Sequence, residues 1–187
     1  DAHLKALGRV HDRAQAIAAV EEAATAFDTF NLDIMYALPG QTLASVHGTV
    51  DYCERLFELG DRRLSCYISP MGPFIDPGSR GFEEPERFGY RLFARTLEEH
   101  RQLLVQPTWE HILNYETKWM TRRELVDATY DAAERLNDLK VRYGRIPSRR
   151  GRKVAANIVA ARTLRTRLEA TLANGGDPDA DLALRGE

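Results

Sequence analysis

Asp33 carries a charge that its surroundings in the sequence do not explain. In the run from Phe30 to Leu38, Phe30, Leu32, Ile34, Tyr36 and Leu38 alternate with Asn31, Asp33, Met35 and Ala37, which predicts one strand with two unlike faces. A strand set between helices normally joins a parallel sheet and is apolar on both faces. A carboxylate left unpaired inside such a sheet costs several kcal/mol. A bound ligand that donates hydrogen bonds to Asp33 relieves that cost. So does an ion pair or a backbone contact within the protein.

A second strand is predicted over Arg63–Ser69, with Leu64, Cys66 and Ile68 on one face and Ser65, Tyr67 and Ser69 on the other. The polar face supplies possible neighbours for Asp33. In a parallel barrel the ligand sits at the carboxyl ends of the strands, here Tyr36–Gly40 and Ser69–Gly72.

Three other groups of residues could carry chemistry. Tyr67, Trp109, His111 and Tyr115 are candidates for a substrate pocket by stacking, with Trp119 nearby; aromatics at a helix junction also serve as core. The histidines, at 3, 11, 47, 100 and 111, show no metal-ligand spacing and no HExxH, so no metal site is expected in this chain. No residue declares itself catalytic. From Lys140 to Lys153 the chain carries Lys140, Arg142, Arg145, Arg149, Arg150, Arg152 and Lys153, which could meet an anionic substrate or nucleic acid. No aromatic follows Tyr143, so a solvated face is the preferred reading of that run.

Composition bounds the possibilities. The 187 residues are 43% hydrophobic and 29% charged, with a net charge of -2, as in an ordinary globular domain. No global charge argues for nucleic acid, which is an unlikely partner on this reading. No apolar run reaches the roughly 18 residues of a membrane helix, and Asp1–Lys5 has no signal-peptide character. Cys53 and Cys66 occupy apolar positions and read as buried free thiols, consistent with a cytoplasmic location.

The predicted elements place these residues. Asp12 and Gln15 have capping-box spacing ahead of Ile17, Val20 and Ala24. Thr42 caps a second helix, with Leu43, Val46, Val50, Cys53 and Phe57 inward and Gly60 at its end. Pro70–Gly81 reads as a loop. Phe88, Leu92, Phe93 and Leu97 predict a helix reaching about Leu104, and Trp109–Met120 a short helix or irregular segment. Thr121 and Glu124 open a long helix with Leu125, Ala128, Ala132, Leu136 and Leu139 inward, ending at Gly144. A last helix is expected from about Arg152 to Ala173. Two strands make no stable parallel sheet alone, so either further strands precede them in a longer chain, the preferred reading, or the chain borrows strands by oligomerising.

Three separated segments carry a resemblance. LKALGRVHDRAQAIAAVEEA, FNLDIMYALPGQT and RLSCYIS follow one another as in radical S-adenosylmethionine enzymes, and are most similar to oxygen-independent coproporphyrinogen oxidases and their haem-chaperone-like relatives. The later segments ISPMGPFIDPGSRGFEEPERFGYRLF and PTWEHILNYETKW resemble radical enzymes that carry a cobalamin-binding domain.

The helix–strand–helix–strand order predicts an α/β barrel or doubly wound sheet, followed by a mostly helical extension over 71–173 and a disordered tail over 174–187; the resemblance implies that residues 1–70 are the C-terminal portion of a partial (βα)6 TIM-type barrel. It implies reductive cleavage of S-adenosylmethionine for hydrogen abstraction, with cobalamin-linked methyl transfer as a variant. By motif position, Arg9 would pair with the methionine carboxylate, Asp33 would accept from the ribose hydroxyls, and Ser69 and Pro70 would border the adenine. The 4Fe-4S cluster of the family sits on a CxxxCxxC loop, which is absent here; its ligands are expected upstream, and this chain alone is expected to be inactive. Expected partners are a small-molecule substrate, an electron donor and the N-terminal half of the same protein. Two rivals remain: a non-catalytic haem- or cobalamin-binding carrier, and a helical nucleic-acid-binding module.

Overall fold

β1, Phe30–Tyr36, and β2, Leu64–Pro70, pair in parallel, with Phe30 opposite Leu64 and Asp33 opposite Tyr67. This is the first architectural feature of the computed structural model, which describes residues 1–6, 8–59, 62–70 and 74–177, the side chains of Ser69 and Pro70 excepted. The parallel pairing requires a crossover, and α3, Leu43–Leu59, provides it. Val46, Val50, Cys53, Leu56 and Phe57 form the buried stripe of α3. Leu64 and Cys66 of β2 and Tyr36 of β1 are buried in the same core.

One face of the sheet is thus covered by helices and the other is open. Asn31, Asp33 and Tyr67 are exposed. Among the described residues each strand has one ladder partner, so the outer edge of β1 is unpaired. The arrangement is α/β with a parallel pair.

Preceding β1 are α1, Ala2–Ala6, and α2, Arg13–Ala26. The capping box forms as expected: Asp12 accepts from the Gln15 amide and the Gln15 side chain accepts from the Asp12 amide, both at 2.8 Å. Only Val20 of α2 is buried, because α2 lies beside the unpaired edge of the sheet.

The middle of the chain corrects the predicted helix from Phe88 to Leu104. Instead α4, Arg80–Glu83, and α5, Pro85–Phe88, are followed by a strand β3, Tyr90–Leu92, and then by α6, Leu97–Leu104. Gly89 adopts φ 72°, which an interior helical residue cannot, and this stops α5. α7, Trp109–Ile112, leads to β4, Tyr115–Thr117, which pairs antiparallel with β3.

α8, Arg122–Arg142, and α9, Ser148–Ala173, complete the described fold. α8 starts on its expected capping box, with the Thr121 amide donating to Glu124 at 2.8 Å. α9 begins four residues before the expected Arg152, at Ser148 just after Pro147, whose fixed φ suits a helix entry. Leu125, Val126, Ala128 and Ala132 of α8 pack into the core of α3 and β2, so one core runs across the expected boundary at residue 70. No described helix is long and apolar enough to cross a membrane. The expected helix end at Gly60 and the segment 178–187 lie outside the described residues.

Candidate functional site

The carboxyl end of β1 departs from regular strand geometry at Ala37, which is fully buried and has φ 67°. A left-handed alanine costs about 1–2 kcal/mol. Its surroundings hold it there: the Tyr90 hydroxyl donates to the Ala37 carbonyl at 3.1 Å. Burial raises the Tyr90 phenol, so it remains a donor. A turn follows, closed by the Gln41 amide on the Leu38 carbonyl at 3.0 Å, with Pro39 second and Gly40 third at φ 83°. Those positions are the ones a type II turn assigns to Pro and Gly. The Gln41 side chain is buried and accepts from the Leu38 amide at 2.9 Å. His3 reaches the Pro39 carbonyl at 3.1 Å through Nδ1, which must carry the proton to donate.

A cleft of about 500 Å³ opens beside this turn. It is lined by consecutive residues Leu32–Met35, from both faces of β1, and so straddles the unpaired edge of the strand. Arg9 and His11 approach from the segment between α1 and α2, Arg13 from the first turn of α2, and Thr49 and Tyr52 from α3. The Arg9 amide donates to the Leu4 carbonyl and the Arg13 amide to the Asp1 carboxylate, both at 2.9 Å, fixing that segment. Burial raises the Tyr52 phenol, opposed by the Arg13 charge.

Arg9 and Asp33, assigned by resemblance to opposite ends of one cosubstrate, line the same cleft. Asp33 is exposed, which corrects the expectation that it is buried inside the sheet; the open face it occupies has no covering layer among the described residues. It has no hydrogen bond or ion pair with any described residue. The cleft therefore presents a guanidinium and a carboxylate without side-chain partners among the described residues. A guanidinium holds a carboxylate through two parallel hydrogen bonds, and a carboxylate accepts from hydroxyl or ammonium groups. A ligand with both kinds of group suits the pair.

The other expected residues distribute differently. Tyr67 stands beside Asp33 on the open sheet face, half exposed, with the Lys140 ammonium 4.0 Å from its ring centre. Burial lowers the Lys140 ammonium. Ser69 and Pro70 end β2 opposite Met35 and Tyr36; their side chains lie outside the described residues, as do Met71 and Gly72. Trp109, His111 and Tyr115 line none of this cleft. Tyr115 is fully buried, edge-on to Tyr90 with ring centres 5.7 Å apart, so it belongs to the core. His111 accepts or donates at 2.6 Å to the Thr108 hydroxyl, and Trp109 is partly exposed on α7.

Sequence reasoning did not nominate His3, Arg13, Gln41 or Tyr52 as site residues. Gln41 carried a signal, since a side-chain acceptor directly after Pro-Gly can close the turn it follows. Among the described residues no three His, Cys, Asp or Glu side chains converge as a metal site, and Cys53 and Cys66 are buried between α3 and β2. No family model, curated protein or solved structure matches this chain.

Proposed function

We propose that this chain is the C-terminal part of a radical S-adenosylmethionine enzyme and that its cleft at β1 holds the methionine and ribose ends of that cosubstrate. The observation that carries the reading is the shared cleft of Arg9 and Asp33, two side chains far apart in sequence that have no partner among the described residues. Arg9 holds the methionine carboxylate. Asp33 accepts from the ribose hydroxyls. Ser69 and Pro70, at the neighbouring strand end, border the adenine. Upstream βα units add to the unpaired edge of β1 and close a partial (βα)6 barrel, which covers the open sheet face and takes Asp33 out of water.

Among the described residues no side-chain group fits a 4Fe-4S cluster, and in this reading its ligands are those of a CxxxCxxC loop upstream. When bound, that cluster supplies the electron for reductive cleavage. This chain's own part is to bind and orient the cosubstrate. The helical extension closes the substrate side, and a cobalamin-linked variant of the reaction is compatible with the resemblance of residues 68–93 and 107–119.

Calorimetry of S-adenosylmethionine binding to the full-length protein tests the site. Asp33→Ala is expected to weaken binding by about 1–3 kcal/mol, the scale of a buried hydrogen bond left unmade. Unchanged affinity removes Asp33 from the site. A coding sequence upstream of Asp1 without a CxxxCxxC loop removes the enzyme class and favours a non-catalytic haem- or cobalamin-binding carrier.

A further inference from the structure

The seven basic residues between Lys140 and Lys153 stand in a stretch with no acid, giving it a formal charge of +7 and leaving -9 for the rest of the chain. The structure divides them into two groups. Lys140 sits over Tyr67, Arg142 pairs with Glu54 at 2.9 Å, and Arg145 donates to the Phe57 carbonyl at 2.6 Å. These three tie α8 to α3 and β2. Arg149, Arg150, Arg152 and Lys153 are exposed and have no ion pair or hydrogen-bonding side-chain partner among the described residues.

That separation is not general on this hairpin. Further along α9, Arg162 pairs with Asp131 and Glu134, and Arg165 with Asp127, Glu169 and Glu110. At 100° per residue the four uncommitted cations cover an arc of about 160° on one side of α9. Gly151 lies on the side turned to α8, where its Cα approaches Val141 so closely that a Cβ would stand 2.2 Å from a valine methyl. That contact turns the cationic arc outward. Arg152 also borders a shallow groove of about 370 Å³ with Arg142 and Ser148.

We propose that this arc is a binding surface for the phosphodiester backbone of a nucleic acid, independent of the cleft at β1. The net charge of -2 gives no sign of such a surface, because net charge does not report a segregated one. No aromatic residue follows Tyr143, so no base-stacking platform accompanies the arc and binding is independent of base sequence. An anionic membrane is the poorer fit. Interfacial helices insert a large apolar face, whereas the outer side of α9 continues from the cations into Ala156, Ala160 and Thr163, with Val159 a single exposed large apolar side chain beside them.

The test is fluorescence anisotropy of this chain with labelled single-stranded RNA and with duplex DNA of matched length, beside co-sedimentation with phosphatidylserine-containing vesicles. With four phosphate contacts, log affinity is expected to fall against log salt with a slope of about -2.8 on single-stranded RNA and about -3.6 on duplex DNA, or roughly 50-fold and roughly 150-fold between about 50 and about 200 mM salt. The variant Arg149→Gln/Arg150→Gln/Arg152→Gln/Lys153→Gln is expected to lose binding and keep its far-ultraviolet circular dichroism. Arg123→Gln, which removes an exposed cation elsewhere, is expected to bind as the parent does. A preference for RNA or DNA identifies the source of the backbone and upholds the proposal. Absence of binding at low salt, full binding by the fourfold variant, loss in Arg123→Gln, or capture by vesicles in place of nucleic acid overturns it.

Discussion

The hydroxyl of Tyr90 donates to the carbonyl of Ala37 across 53 positions of sequence, at 3.1 Å and away from water. It joins the strand β3 to the left-handed end of β1. The candidate cleft depends on that end, since the turn that follows carries Gln41 and receives His3. Tyr90→Phe leaves a buried carbonyl unpaired and is expected to cost about 1–3 kcal/mol in urea unfolding. Ala37→Val places a branched side chain at φ 67° in a filled site, and is expected to cost more than Tyr90→Phe. Equal stability of either variant and parent would show that the turn is held by something else.

Asp33 offers a separation of binding from folding. It is exposed and has no partner among the described residues, so Asp33→Asn is expected to change the stability of this chain by no more than about 0.5 kcal/mol. A loss several times larger, read from denaturant midpoints, would identify Asp33 as a structural residue and weaken its assignment to a ligand.

Gly151 fixes the contact between α8 and α9. Its carbonyl accepts from Asn137 at 3.1 Å, and its missing Cβ makes room for Val141. Gly151→Ala is expected to destabilise the chain by about 1–3 kcal/mol through overpacking. Val141→Ala should restore most of that loss when combined with it, giving a coupling energy in a double-mutant cycle. Additive effects of the two substitutions would mean that the helices meet elsewhere.

The start of α8 makes a pH-dependent contribution. Hydrogen bonds from the Thr121 amide, then its hydroxyl, hold the Glu124 carboxyl below its ordinary 4.5. A carboxyl depressed in the folded state binds fewer protons there than in the unfolded chain. Its stabilisation is therefore complete above the ordinary value and is lost as pH falls below it. Glu124→Gln should flatten that part of the stability curve, measured by thermal melts between about pH 3 and about pH 6. An unchanged curve would assign the acid sensitivity to other carboxylates.

What the sequence revealed follows from the range of the interactions involved. The capping boxes at Asp12 and Thr121 are local, with donor and acceptor three residues apart, and both form. The alternation through β1 predicts two faces, and the parallel pairing with β2 sets Asp33 beside Tyr67 as the faces require. β3 and β4 are three residues each, too short for a period to register, and the apolar spacing of Phe88, Leu92 and Phe93 imitates a helix. Tyr115 looked available for stacking because its partner Tyr90 lies in a strand with no sequence signature. The resemblance sets Arg9 and Asp33 on one cosubstrate, whereas His3 of α1 and Arg13 of α2 join them in the cleft only through the folding of the chain.

The edge of β1, unpaired among the described residues, has a consequence for this chain when it stands alone in bulk. A bare ladder invites a second copy to add its own strand. Asp33 is the central residue of Phe30–Tyr36, so two copies laid antiparallel in full register would set one carboxylate against the other. The side chain assigned to a sugar would in that setting repel its own duplicate, keeping the strand from serving as a seed for aggregation.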